Sequence, residues 1–360
     1  MTTAAVPLST SIDTDVVVIG AGPVGLFQVF QLGLQGLRCH VIDALPHPGG
    51  QCAELYGDKP IYDIPSIAVC TGHELVQRLR DQIAPFAPQW HLGQQVAQLA
   101  AQPDGSFVVT TSAGEQLRAR AVCITAGVGA FMPRPLKVPG LEAFAGTQLF
   151  YRLEGQADMA RLGGKHVVVH GGDAPAVTQV LQVLDLANCP EPPASVTLQH
   201  RRDVFDAAPE PLAQLDALRS AGRVQVAIGQ ISAIEEEGGR LTALQLLTPD
   251  ERTQRLPLDV LLVRLGLLPR LGPLADWGLA LERKQLLVNT ATFATSTPGI
   301  HAVGDIVSYP GKRRLIVCGF HEATLAAFAI AEHLAGHSVA LEYTTSSARL
   351  QQRLGVHAPD

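Results

Sequence analysis

Thr14-Asp-Val-Val-Val-Ile-Gly-Ala-Gly-Pro-Val-Gly-Leu26 is the stretch on which the reading of the whole chain turns. A β-branched run breaks into Gly20-x-Gly22-x-x-Gly25 and resumes as an apolar segment of helical period, so strand, glycine turn and helix follow in that order. Each glycine has its own task. Gly20 makes the sharp turn, Gly22 lets the backbone approach a pyrophosphate, and Gly25 lets helix and strand pack closely. The helix beginning near Pro23 presents unpaired N–H groups and the positive end of its dipole to an anion. A second strand, Arg38-Cys-His-Val-Ile-Asp43, ends in a carboxylate where a ribose hydroxyl is expected.

The chain of 360 residues predicts about two to three domains, and 47% hydrophobic against 5% aromatic residues points to a large aliphatic core. A net charge of −6 without long like-charge blocks suggests neither nucleic acid nor an anionic membrane as a partner. Residues 1–12 lack the charged and apolar regions of a secretory signal, and no apolar run reaches bilayer length, so the expected location is cytoplasmic, with no membrane association. Cys39, Cys52, Cys70, Cys123, Cys189 and Cys318 show no metal-ligand spacing and read as reduced core residues, with no metal expected.

Downstream of Asp43, the paired Gly49-Gly50 permits another close backbone approach to a ligand, with Gln51 able to bridge polar groups and Tyr56 able to lie against a planar ring; the same stretch also reads as an ordinary exposed turn. Gly72–Ile83 reads as an amphipathic helix. Short strands are expected around Val96–Leu99, Phe107–Thr111 and Ala121–Thr125. The last ends in Gly127 and runs into Phe131-Met-Pro-Arg-Pro135, which looks like a domain crossing. Beyond it the opening motif returns, altered, as Gly164-Lys-His-Val-Val-Val-His170-Gly171-Gly172-Asp173. Its second strand, Ser195–His200, is followed by Arg201 and Arg202 rather than an acid. Two guanidiniums there suit the 2′-phosphate of NADP, although a solvated basic turn has the same composition. Ile300-His-Ala-Val-Gly304-Asp305 forms another strand ending in Gly-Asp, and Gly319–Ala331 opens a small-residue helix whose N-terminus favours negative charge.

This set of motifs, from GAGPVGLF through the Gly-Gly-Gln loop, ITAGVGAF, HRRDVF, LGPLADWGL and PGIHAVGDI to the post-helix tail, resembles the thioredoxin-reductase-like ferredoxin–NADP(+) reductases of bacteria over nearly the whole chain. The resemblance implies an α/β fold with two Rossmann-like dinucleotide-binding domains, the second inserted in the first: an FAD domain of residues 1–129 and 263–360 and an NADP(H) domain of 130–262. It implies non-covalent FAD held by Gly20, Gly22, Gly25, Asp43, Gln51, Tyr56, Val96, Phe131, Asp305 and Thr345, with NADP(H) at Gly171, Gly172, Arg201 and Arg202. Tyr56 and Tyr343 would cover the two flavin faces, Tyr343 standing where the family usually has His. No catalytic side chain is required, since flavin chemistry carries the hydride. The family further implies a homodimer, its tail reaching the neighbouring subunit's flavin, and ferredoxin or flavodoxin as the electron carrier.

Neither Cys-x-x-Cys nor Cys-x4-Cys is present, so a dithiol relay is excluded and electrons must pass directly to an external acceptor. A general NAD(P)H-dependent flavin or quinone reductase, or an FAD-binding protein with an impaired nicotinamide site, would share the same scaffold. His170, Pro175 and Asp206 depart from the family's nucleotide turn. They lead us to expect weak binding of NADPH and little discrimination against NADH. A basic run, Lys312-Arg313-Arg314, is expected to form a positive docking patch for an acidic carrier.

Overall fold

The computed structural model describes residues 12–151, 153, 155–185 and 191–356; Cys189 lies outside them. It divides into two compact units, residues 1–131 with 269–360 and residues 132–268. Two short strands at the crossings, Ala130–Pro133 and Leu267–Arg270, pair with each other.

In the first unit, β1 (Ile12–Ile19) leads through the glycine turn into α1 (Pro23–Leu34), and β2 (Cys39–Asp43) lies parallel to β1. α2 (Gly50–Glu54) and α3 (Gly72–Ile83) follow, then β3 (Gln89–Leu92), β4 (Val96–Ala101), β5 (Phe107–Thr111) and β6 (Gln116–Ile124). The strands run in the order β3-β2-β1-β6-β5-β4. One edge of β6 serves two partners. Its first half, Gln116–Ala119, pairs antiparallel with β5, and its second, Val122–Ile124, pairs parallel with β7 (Ile300–Ala302), which arrives from the far end of the chain.

Alternation along β1 fixes both cores. Val16 and Val18 face a cluster with Leu26 and Val29 of α1, Leu75 and Leu79 of α3 and Ala323, Ala326 and Ala327 of α4 (Ile316–Ala335), while Val17 and Ile19 face a second cluster with Phe107, Val122 and Ile124. α3 begins with a capping box in which Thr71 accepts from the Glu74 N–H and the Glu74 carboxylate accepts from the Thr71 N–H. α4 begins three residues before the expected Gly319 and stops at Gly336, whose φ of 73° is the left-handed cap that glycine adopts without strain. α5 (Ala348–Arg353) packs beside the C-terminal end of α1, where the Arg353 guanidinium donates to the Leu34 carbonyl.

The second unit holds a five-stranded parallel sheet in the order 149–150, 260–263, 166–170, 195–200, 225–228, and a three-stranded antiparallel sheet, residues 230–257, that precedes the strand 260–263 in the chain. A glycine turn joins strand His166–His170 to the helix Ala174–Leu184, so the strand–turn–helix pattern occurs once in each unit. None of the described helices is long and apolar enough to cross a membrane.

Candidate functional site

The carboxyl ends of β1, β2 and β6 open into a cavity of about 340 Å³ in the first unit. Gly20, Gly22, Asp43, Gln51, Tyr56, Val96, Phe131 and Asp305 line it. Gly25 stands behind the turn, where a Cβ would lie 2.0 Å from the Gly20 carbonyl oxygen, a distance that excludes every other residue. Thr125, at the end of β6, clamps the same turn by donating its hydroxyl to the Gly20 carbonyl at 2.6 Å. α1 starts at Gly22 without a side-chain cap, which leaves its N–H groups directed at the cavity.

Asp43 does two things. Its Oδ2 accepts from the Ala21 N–H at 2.6 Å and its Oδ1 from the Leu45 N–H at 2.8 Å, so the carboxylate ties β2 to the glycine turn while facing the cavity. Burial pushes its pKa up, and the two backbone donors work against that shift.

The Gly49-Gly50 stretch makes a close backbone approach, but it opens a short helix where a loop or exposed turn is expected from sequence. Gly50–Glu54 forms a short helix entered through Gly49, whose N–H donates to the Ala21 carbonyl at 2.8 Å. Gly50 has φ of 53°, and a Cβ on it would sit 2.9 Å from the Gly22 Cα. Two backbones approach from opposite sides here, and only glycine fits between them. Tyr56 closes the wall, its hydroxyl 3.5 Å from Gln51 Oε1. Burial pushes the Cys52 thiol up to about 11, which keeps it protonated at neutral pH.

The cavity also collects residues for which no cofactor contact is expected from sequence. Gln94 Oε1 and Trp277 Nε1 are buried without a hydrogen-bond partner among the described residues, an acceptor and a donor respectively, and both residues line the cavity. Arg314, Leu315 and Ile316 bring the start of α4 to it. A long ligand with an anionic middle and a polar edge fits this arrangement: unpaired N–H groups at α1, two orphan polar atoms, and carboxylates at Asp43 and Asp305. No local sequence signal marks Gln94, whose place depends on strands meeting across the sheet, whereas Trp277 belongs to the LGPLADWGL motif without a role expected for it there.

The tail lies elsewhere. Tyr343 is 65% exposed, Thr345 is exposed, and neither lines the cavity of its own chain. Lys312 corrects the expected docking patch. It is buried in an ion pair with Glu322, so of the three basic residues only Arg313 and Arg314 are solvent-exposed.

In the second unit, Gly171 and Gly172 form the turn after the strand His166–His170, and Arg201 and Arg202 lie exposed after the strand Ser195–His200. The His170 ring is engaged with its neighbour strand, Nδ1 lying 2.5 Å from Gln199 Oε1, and burial lowers its pKa, so it is neutral at pH 7. The Gln199 oxygen only accepts, which assigns the proton to Nδ1. Asp206 reaches the turn through its backbone, its N–H donating to the Gly172 carbonyl at 2.8 Å. Asp203 is held by Arg219 through two parallel contacts of 2.9 and 2.8 Å.

A family profile described as "Pyridine nucleotide-disulphide oxidoreductase" matches residues 14–328. A ferredoxin–NADP reductase of Acidovorax sp. is 65% identical over 343 residues, covering 95% of each chain. One of Paracidovorax citrulli is 61% identical over 352 residues, covering 96% of this chain and 97% of its own. Among solved structures, the thioredoxin reductase of Gloeobacter violaceus superposes with a TM-score of 0.54 at 22% identity, covering 92% of this chain and 98% of that one. Taken with the two glycine turns, these similarities show that the chain is an enzyme of the pyridine nucleotide-disulphide oxidoreductase family.

Proposed function

We propose that the protein is a ferredoxin–NADP(+) reductase that holds FAD non-covalently in the first-unit cavity and takes NADPH at the second-unit turn. FAD held there would supply the chemistry, taking a hydride from the nicotinamide and giving up its electrons one at a time. The residues of the chain supply position and electrostatics. The N-terminus of α1 and Gly22 meet the pyrophosphate, Asp43 the adenosine ribose, Asp305 the ribitol, and Gln51, Tyr56, Val96 and Phe131 the rings. Arg201 and Arg202 meet the 2′-phosphate.

The observation that carries this reading is a cavity lined by the glycine turn, Asp43 and Asp305 in a chain without a Cys-x-x-Cys or Cys-x4-Cys pair to relay electrons. The described cysteines are free, and Cys52, which lines the cavity, is held protonated by burial. A one-electron protein carrier, ferredoxin or flavodoxin, is the acceptor that suits this arrangement. The exposed Tyr343 and Thr345 suit a homodimer in which each tail covers the partner's cofactor. Purification at saturating FAD followed by anaerobic titration with NADPH tests the reading: full bleaching of the flavin by about one equivalent supports it, and absence of flavin, or a flavin that NADPH leaves oxidised, contradicts it.

A further inference from the structure

Glu322 is fully buried in the second turn of α4 and gathers donors from three directions. Its Oε2 accepts from the Gly304 N–H at 2.6 Å, and its Oε1 accepts from the Tyr309 hydroxyl at 2.7 Å and from Lys312 Nζ. Lys312 is 8% exposed and its ammonium also stands 5.6 Å from the Tyr309 ring centre. On the far side, Gln285 Nε2 donates to the Asp305 carbonyl at 3.2 Å and to the Val307 carbonyl at 3.1 Å. The turn Gly304–Asp305 is thus held by side chains on both flanks, although Asp305 itself must remain free to face the cavity. The same carboxylate joins the turn at Lys312, two residues before Arg314, to the helix whose first residues line the cavity.

A buried ion pair adds little net stability over apolar side chains of the same volume, whereas removing one partner leaves an uncompensated charge at large cost. What Glu322 adds is position, because one carboxylate fixes Gly304, Tyr309 and Lys312 together. We propose that Glu322 is the positioning residue that presents Asp305 and the start of α4 to the cofactor, with Lys312 present to neutralise it. Glu322 touches no cofactor atom in this role; it acts through the Gly304 backbone.

The proposal rests on the FAD assignment above and is tested on the full chain loaded with FAD. The reading is the rate of flavin release on dilution, followed by recovery of free-flavin fluorescence, with thermal unfolding measured alongside. Glu322→Ala removes the acceptor from Gly304 and is expected to speed release by about tenfold or more, the range expected for a stranded buried donor. Glu322→Gln/Lys312→Met keeps an acceptor for Gly304 while removing both charges. It is expected to release FAD within about threefold of the parent. Glu322→Gln alone strands the Lys312 charge and should release faster than this double variant. Parental release from Glu322→Ala, or a double variant that loses flavin as fast as Glu322→Gln, would overturn the proposal even if melting temperatures fall. A parent chain that takes up no FAD contradicts the cofactor assignment instead.

Discussion

At the scale of single residues the site depends on atoms with two duties. Asp43 anchors the glycine turn through the Ala21 and Leu45 N–H groups and faces the cavity with the same carboxylate. Asp43→Asn therefore turns one acceptor into a donor against a backbone N–H. FAD affinity is expected to fall by roughly 1.5–3 kcal/mol, read by equilibrium binding, the range for a hydrogen bond to a charged group. In the second unit Asp206 is held beside Gly172 by its own backbone, which sets an acid close to the turn proposed to take the nucleotide. Asp206→Arg is expected to lower the Michaelis constant for NADPH and leave that for NADH unchanged; an equal change in both would show that the acid does not oppose the 2′-phosphate. Gly20, Gly22, Gly25 and Asp43 were legible in sequence because turn, spacing and terminal acid lie within thirty residues of each other. Gln94 was not, since its orphan atom acquires meaning only once distant strands converge, and Trp277 was visible only as part of LGPLADWGL, without a contact assigned to it.

At the scale of elements, the amphipathic pattern of residues 72–83 places α3 as expected, and Val16 to Ile19 alternate between two cores as a buried parallel strand should. Misreadings arose where tertiary contacts outweigh local composition. Gly49-Gly50 resembles an open loop, yet the Gly49 N–H bonded to the Ala21 carbonyl starts a helix there. Lys312 resembles part of a basic patch, yet Glu322, ten residues on, draws it inside. The expected docking patch consequently reduces to Arg313 and Arg314, and if it serves a carrier, Arg313→Glu is expected to slow carrier reduction at low salt while sparing flavin reduction by NADPH. A second expectation concerns β7. His301 is 3% exposed, its Nδ1 has no partner among the described residues, and burial, followed by the nearby His333, lowers its pKa from 6.5 to about 4. The unfolded chain therefore takes up a proton there, as pH falls from 6.5 towards 4, before the folded chain does. Stability attributable to His301 is full above pH 6.5 and is lost through that window, by at most roughly 3 kcal/mol. His301→Gln should flatten this part of the denaturation profile relative to the parent, and parallel profiles would refute the assignment.

At the scale of the whole molecule, the order of segments is what makes one unit from two stretches of chain. β7 from near residue 300 pairs with Val122–Ile124, and α4 packs on α1, so the cavity and the last strand of its sheet are completed only when the chain has returned. Sequence showed this return through Gly304-Asp305, whereas the sharing of one β6 edge between two strands of opposite direction is a matter of register that no motif encodes. The tail follows α4 and leaves Tyr343 exposed on its own chain, the position a residue serving a second copy would take. Deletion after Gly336 is expected to lower FAD retention and to yield monomers, read by light scattering and flavin content; an unchanged dimer with unchanged flavin would remove the tail from the site. The central claim, that this flavin passes electrons singly to a protein carrier, is tested most directly by steady-state rates of the FAD-loaded chain with NADPH and either ferredoxin or a small quinone as acceptor. The expected result is a ferredoxin rate constant kcat/KM well above that for the quinone and falling steeply with added salt. A quinone rate that exceeds the ferredoxin rate, with neither sensitive to salt, would contradict it.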